Sequence, residues 1–319
     1  MAIELKGTGS ALPERIVTND ELAQIVDTSN EWIKERTGIA SRHIACGDTV
    51  ASLAALAAER ALADASVDAE SIELIIVASC SSEMALPCVA CQVQSAIGAT
   101  KAIAFDLNAA CAGFLFALNT VDAYLAGGIY NNALIIGSEV LSNIIDWEDR
   151  GTCILFGDGA GAVYVEKGNS KLNYVQRSNG FKGEVLACRQ RTQKNAFYQG
   201  EDTPHYVTMD GREVFKFAVR QVPEVITETL NAAEVPVEAV DMFVLHQANK
   251  RIIEGIAKRL NVAEDRFPTN VDRVGNTSSA SIPILLDEIN KAGKLKKGMK
   301  VVLSGFGAGL TYSACLMEL

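Results

Sequence analysis

"AIAFDLNAACAGFLFALNTVDAYLAGGIYNNALIIGSEVL" (residues 102–141) decides the fold. Its first seven residues, 102–108, read as an extended run. Residues 111–126 have helical character, with Asn119, Thr120 and Asp122 as the clearly polar side chains. "NALIIGSEVL" (132–141) is a short, β-branched apolar run, which reads as a buried strand. Strand, buried helix and strand together make a βαβ unit. Upstream, "IELIIVASC" (72–80) is a second buried strand, and "ACQVQSAIGA" (90–99) has helical spacing. The alternation predicts a largely parallel sheet covered on both faces.

The second half repeats this order. "DMFVLHQAN" (241–249) resembles the first buried strand and the residues after it. "RFPTNVDRVGNTSSASIPILLDEINKAG" (266–293) corresponds to the extended piece and helix of 102–127, and "MKVVLSGFGAG" (299–309) to "ALIIGSEV". The offset at the three places is 166–168 residues, about half of the 319. That length exceeds what one hydrophobic core comfortably serves, roughly 250–300 residues. Two similar α/β halves packed face to face are therefore expected, 1–168 and 169–319. Residues 177–215 break the rhythm and read as an insertion or lid, where a substrate entrance would lie.

The chain is 49% hydrophobic and 21% charged, which excludes general disorder. A formal charge of −10 argues against nucleic acid or an anionic membrane surface as partner. No apolar run approaches the ~20 residues that span a bilayer. Eight cysteines lie mostly in apolar segments, and the opening "MAIELKGTGS" lacks a secretory pattern. A reduced, cytoplasmic setting with free thiols is expected. Cys88 and Cys91 form a lone CxxC without a second pair or a nearby His, so no metal site is expected and packing is the reading.

Two glycine clusters, "FGDGAGAVYVEK" (156–167) and "GFGAGLTYSACLMEL" (305–319), suggest a dinucleotide site at first sight. Neither matches GxGxxG, and each is followed by a strand-like run. A dinucleotide fingerprint needs a helix there to meet the pyrophosphate. The glycines read instead as tight turns that let backbone N–H groups approach a ligand.

Of three histidines, His246 falls straight after the strand "MFVL", at a carboxyl end that faces the ligand crevice in such sheets. Packing in a loop is the plain reading and a catalytic imidazole the sharper one. Asn276 in "VGNTSSASIP" reads first as a helix cap. The internal repeat raises it, because its turn is the counterpart of the turn around Cys111. Cys111 sits at the start of the buried helix, among Ala109, Ala110, Ala112 and Gly113. The helix dipole there would stabilise a thiolate, and the turn's N–H groups would bind an oxyanion. Of the eight cysteines, Cys111 is the candidate nucleophile.

Together, "AACAGF", "HQAN", "GNTSSASIP", "GFGAGLTYS", "TSNEWIKERTGI" (28–39) and "DRGTCILFGDGAGA" (149–162) resemble the β-ketoacyl-acyl carrier protein synthase III family of the thiolase superfamily. The resemblance runs in order along essentially the whole chain. It implies an α/β thiolase-like fold, a homodimer whose subunits have two pseudo-symmetric five-stranded halves layered αβαβα. It implies the initiating condensation of type II fatty acid synthesis: an acyl-CoA primer acylates Cys111, then malonyl-acyl carrier protein decarboxylates and attacks. His246 and Asn276 would bind the malonyl thioester carbonyl. The N–H groups of Cys111 and Ala308 would form the oxyanion hole. Gly307-Ala308-Gly309 stands where the family usually has three glycines, so the role of Ala308 depends on its φ. Coenzyme A enters as a substrate thioester, with no permanent cofactor. Trp32 and Arg150 would sandwich its adenine, Arg36 would meet its phosphates, and Asn249 with Gly211 would line the pantetheine channel. "TSNE" reads as a capping box from Thr28 to Glu31, which puts Trp32 and Arg36 on one helix face. Leu86 stands where the family often has Phe before Pro, across the dimer interface, and implies a roomier primer pocket. Arg212, Lys216, Lys250, Arg251, Lys258 and Arg259 would offer a basic landing patch to the acidic carrier, with Lys216 and Arg251 foremost. A related acyltransferase of specialised metabolism, an NAD-linked oxidoreductase and a non-catalytic acyl-binding module are the competing readings.

Overall fold

The structure, a computed structural model, describes residues 2–168, 172–192, 194–200 and 205–319. One sheet is built from β1 (Ala2–Ala11), β2 (Leu74–Ala78), β3 (Ile103–Leu107), β4 (Asn132–Glu139) and β5 (Gly159–Gly168) in the order β1-β5-β4-β2-β3. A second is built from β6 (Asn173–Ser178), β7 (Met242–Leu245), β8 (Lys300–Gly307) and β9 (Thr311–Glu318) in the order β7-β8-β9-β6. The neighbours repeat: β2/β4 and β7/β8 are parallel, β4/β5 and β8/β9 antiparallel. The expected junction at 168–169 falls where β5 ends, and 169–171 lie outside the described residues.

Among the described residues seven α-helices have eight residues or more: α1 (Asn30–Thr37), α2 (Val50–Ala65), α3 (Val89–Ile97), α4 (Gly113–Ala126), α5 (Gly211–Ala232), α6 (Lys250–Leu260) and α7 (Ser281–Lys291). Strand alternation sorts side chains between them. Leu74 and Ile76 of β2 join Val301 and Leu303 of β8 around the central pair α4 and α7. Ile75 and Val77 face α2 and α3, while Val302 and Phe243 face α5 and α6. The sequence of layers is αβαβα. A helix between two sheets is apolar nearly all round, which is why α4 buries Phe114, Leu115, Leu118, Val121 and Leu125.

Two expectations fail. The sheets are mixed rather than largely parallel: β9 follows β8 after three residues, too few for a parallel crossover. The second sheet has four strands among the described residues, not five, since 267–270 pairs with no strand. Pro268 in that segment has no N–H to donate. The Asn270 N–H goes instead to the Gln247 side chain at 3.1 Å. The 177–215 stretch begins in β6, ends in α5, and between them forms short strand pairs, 186–187 with 208–209 and 194–195 with 198–199. Residues 193 and 201–204 of that stretch lie outside the described residues.

Candidate active site

Cys111 lies in a single 3-10 turn, Ala110–Ala112, between β3 and α4. The turn is tight: Ala110 has φ +48°, and Asn108 Oδ1 accepts from its N–H at 3.0 Å. Gly307, the last residue of β8, passes so close that a Cβ there would sit 2.6 Å from the Cys111 nitrogen. Glycine at 307 is thus a requirement of clearance.

Cys111, His246, Asn276 and Gly307 line one cavity of ≈ 570 Å³. His246 directly follows β7, where its N–H bonds Ser304 O at 2.8 Å and its ring meets Phe306 edge-on at 5.5 Å. Burial pushes the imidazole down to about 3, so it is neutral at physiological pH. Its Nδ1 is buried with no hydrogen-bond partner among the described residues. Asn276 is held by backbone: its N–H bonds Leu155 O at 2.9 Å, its carbonyl accepts from Gly157 at 3.0 Å, and Oδ1 accepts from Ser278 N at 2.9 Å. That leaves its amide NH2 as the donor. The cap position of the following 3-10 turn is Thr277; Asn276, one residue earlier, braces the start of that turn and lines the cavity.

The thiol itself departs from expectation. Burial, with a contribution from the charge of Glu139, pushes Cys111 up to about 12, not down. The thiol sits in the turn ahead of α4, where loss of hydration is the largest influence on it. The nearby Ser278 hydroxyl acts in the opposite direction without cancelling the shift.

The outer end of the cavity is lined by Trp32 and Arg36. They lie on one face of α1, with the Arg36 guanidinium 5.8 Å from the indole centroid. The cap differs by one residue from the expected Thr28 box: Ser29 is the N-cap and accepts from Trp32 N at 3.1 Å. The Thr28 hydroxyl is buried without a partner among the described residues. Arg150 stacks directly on Trp32, 4.8 Å from its centroid, and donates to Asp27 O. An adenine between them would have to displace the guanidinium. Gly211 and Asn249 both line the cavity. Asn249 caps α6 and donates to Arg36 O at 3.2 Å, which ties α6 to α1.

Ala308 has no positive φ; the left-handed position is Gly309, at φ +125°. An alanine at 308 is therefore sterically acceptable. Ala308 lines a second cavity of ≈ 650 Å³ on the other side of Cys111, with Cys80, Ser278, Leu141, Ile144 and Val207. Phe156, Leu186 and Cys111 belong to both cavities. Leu86 reaches neither; it is 83% exposed. Lys216 and Arg251 line the rim of the first cavity, Lys216 paired with Glu213 at 2.8 Å and Arg251 over the Phe215 ring at 5.9 Å. Lys250 and Arg259 are paired with Glu254 and Glu224, at 3.7 and 3.6 Å. Residue-by-residue reading singles out neither Phe156, Phe306 nor Ser278. The internal repeat is the available signal for Ser278. The aromatic pair had none.

A family model described as 3-oxoacyl-[acyl-carrier-protein (ACP)] synthase III matches residues 105–180, and the one for its C-terminal part matches 230–319. The chain is 46% identical to a β-ketoacyl-[acyl-carrier-protein] synthase III of Clostridium acetobutylicum over 320 residues, covering 99% of this chain and 98% of that one. It belongs to the 3-oxoacyl-[acyl-carrier-protein] synthase III family. The crystal structure of the family member from Aquifex aeolicus superposes with a TM-score of 0.93 at 42% identity, over 99% of this chain and 100% of that one. A priming β-ketosynthase of a polyketide pathway superposes with a TM-score of 0.92 at 34% identity, over 99% and 96%. The thiolase-like fold expected for the family is the fold found. Among the described residues no helix is long and apolar enough to cross a membrane.

Proposed function

We propose that the protein starts fatty acid synthesis by moving an acyl group from a CoA thioester to Cys111 and condensing it with malonyl-acyl carrier protein. The observation that carries this reading is the convergence of Cys111, His246 and Asn276 on one cavity whose outer end has Trp32 and Arg36. The Cys111 sulfur attacks the primer's thioester carbonyl. A thiol held near 12 must lose its proton as the bond forms, and the neutral His246 imidazole can accept one. The Cys111 and Ala308 N–H groups stabilise the tetrahedral oxyanion, and CoA leaves as its thiol. Malonyl thioester then enters the same cavity. The Asn276 amide and the His246 N–H donate to its thioester carbonyl, CO2 departs, and the enolate carbon attacks the acyl-Cys111 carbonyl. A C–C bond forms, the C–S bond to Cys111 breaks, and a 3-oxoacyl carrier protein is released.

Trp32, Arg36, Arg150, Thr28, Gly211 and Asn249 serve CoA in this reading, and Lys216 and Arg251 serve the carrier. The protein is taken as cytoplasmic and homodimeric, each half of the chain, 1–168 and 169–319, supplying part of the site. Exposed Leu86 and Met84, and Ile103 on the edge strand β3, support a subunit contact there. Leu86 would enter the partner's primer pocket. A related synthase with another acceptor is not favoured, given the names of the full-length relatives. One experiment tests the reading: mass spectrometry of the protein after acetyl-, butyryl- or isobutyryl-CoA. The expected result is one acyl adduct, lost in Cys111→Ser. The branched adduct should be reduced about tenfold against acetyl in Leu86→Phe. An adduct that survives Cys111→Ser overturns the proposal, and an unchanged chain profile removes Leu86 from it.

A further inference from the structure

Glu139, the last residue of β4, is fully buried, and its described partners are all neutral. Its Oε2 accepts from Ser79 Oγ at 3.2 Å, Cys80 N at 3.1 Å and Ser81 Oγ at 2.5 Å. Its Oε1 accepts from Ser279 Oγ at 2.7 Å and the Cys80 thiol at 3.5 Å. A carboxylate wholly out of water is costly unless its lone pairs are met, and here each oxygen has several donors. The donors come from opposite halves. Ser79–Ser81 follow β2, whereas Ser279 belongs to the turn that begins at Asn276. That turn is pressed on β4: a Cβ on Gly137 would sit 2.2 Å from Ser279 O.

We infer that Glu139 is a positioning residue for the proposed condensation, whose carboxylate locks the Asn276–Ser279 turn beneath Cys111 and opposes negative charge there. The inference rests on the reading of Cys111 and Asn276 given above. The link to Asn276 runs through backbone: Ser279 is fixed by Glu139, and the N–H of Ser278, its neighbour, is bonded to Asn276 Oδ1. The titratable groups around Cys111 are Glu139 from β4, Cys80 from the loop after β2, and His246 from directly after β7. Asp106 on β3 is engaged by the Val89 and Ala90 N–H groups at 2.8 and 2.7 Å. Burial and the Glu139 charge act on the Cys111 thiol in the same direction, upward.

The test uses the full-length protein and three variants. Glu139→Gln keeps the shape and removes the charge, Glu139→Asp keeps the charge, and Ser279→Ala cuts the link to the turn together with the Ser279 hydroxyl's bond to Ala78 O at 2.8 Å. Two quantities are read: the pH dependence of Cys111 alkylation by iodoacetamide, and decarboxylation of malonyl-acyl carrier protein without primer. Glu139→Gln should move the alkylation profile down by about one pH unit. Glu139→Asp should keep the wild-type profile. Ser279→Ala should also keep it, while its decarboxylation falls about tenfold, as in Glu139→Gln. A Glu139→Gln profile that overlays the wild type, or decarboxylation untouched in Ser279→Ala, overturns the inference. Should Glu139→Gln not fold, a shifted profile in Glu139→Asp or undiminished decarboxylation in Ser279→Ala overturns it as well. Alkylation needs no carrier protein, so it judges Glu139 alone. Wild-type protein unable to decarboxylate the malonyl carrier would instead refute the condensation.

Discussion

In the first half, Asn108 Oδ1 accepts from Ala110 N at 3.0 Å, Ala110 has φ +48°, and a 3-10 turn leads into α4. In the second, Asn276 Oδ1 accepts from Ser278 N at 2.9 Å, Ser278 has φ +49°, and a 3-10 turn leads into α7. Each pair is 168 residues apart. The backbone is nearly the same, yet the third side chain differs. Ser279, the counterpart of Cys111, is held by Ala78 O at 2.8 Å and by Glu139. The Cys111 sulfur borders both cavities instead. The strand ends differ in step: Glu139 fills the place beside the Ser279 turn that Gly307 leaves clear beside Cys111. One copy of the motif is tied down so that the other can be open, and Asn276, from the tied copy, is thereby held still.

The sharpest way to break this comparison is to remove the matched asparagines. Asn276→Ala should lower malonyl-carrier decarboxylation by about 10²–10³-fold, because a donor to developing charge is lost. Asn108→Ala should cost about 1 kcal/mol of stability in thermal unfolding and under about threefold in rate. Equal rate losses would mean that both residues merely brace their turns. Next in size is the matched pair of glycines on β8. Gly307→Ala drives a Cβ into the Cys111 nitrogen and should lower the acylation rate about a hundredfold, by displacing the sulfur. At Gly305 the nearest atom to a Cβ is 3.4 Å away, so Gly305→Ala should lose little in the same stopped-flow assay.

The last effect is one of pH. His246 has its imidazole pushed down to about 3 by burial, against an ordinary value near 6.5. Between those values the unfolded chain binds a proton that the folded one refuses, so stability falls as pH drops through that window. Above pH 7 both states are neutral and the contribution is flat. Replacing His246 with Asn should remove this slope from denaturant titrations at pH 4, 5, 6 and 7.5. A slope that persists unchanged would place the titration elsewhere.

Much of the fold and the site is readable in the sequence, because strand, turn and helix are local patterns. The repeat alone pairs the Asn276 turn with the Cys111 turn, and the matching residues 110 and 278 have φ of +48° and +49°. What escapes depends on contacts between distant segments. The missing fifth strand follows from Pro268 and from a Gln247 side chain that no periodicity reveals. The Cys111 thiol lies high because the other half covers it, and a helix dipole read from one segment carries no information on that cover. Glu139 looks like the end of a strand, and its donors come from 58 to 140 positions away.

A turn built of three glycines invites the belief that all three are needed. Across residues 307–309, clearance is demanded at 307 and a left-handed backbone at 309. The middle position carries neither burden, and Ala308 sits there at no steric cost. The constraint in such a loop is one of space and torsion, which the central position does not share. A motif written as clearances and angles would find members that one written as glycines passes over.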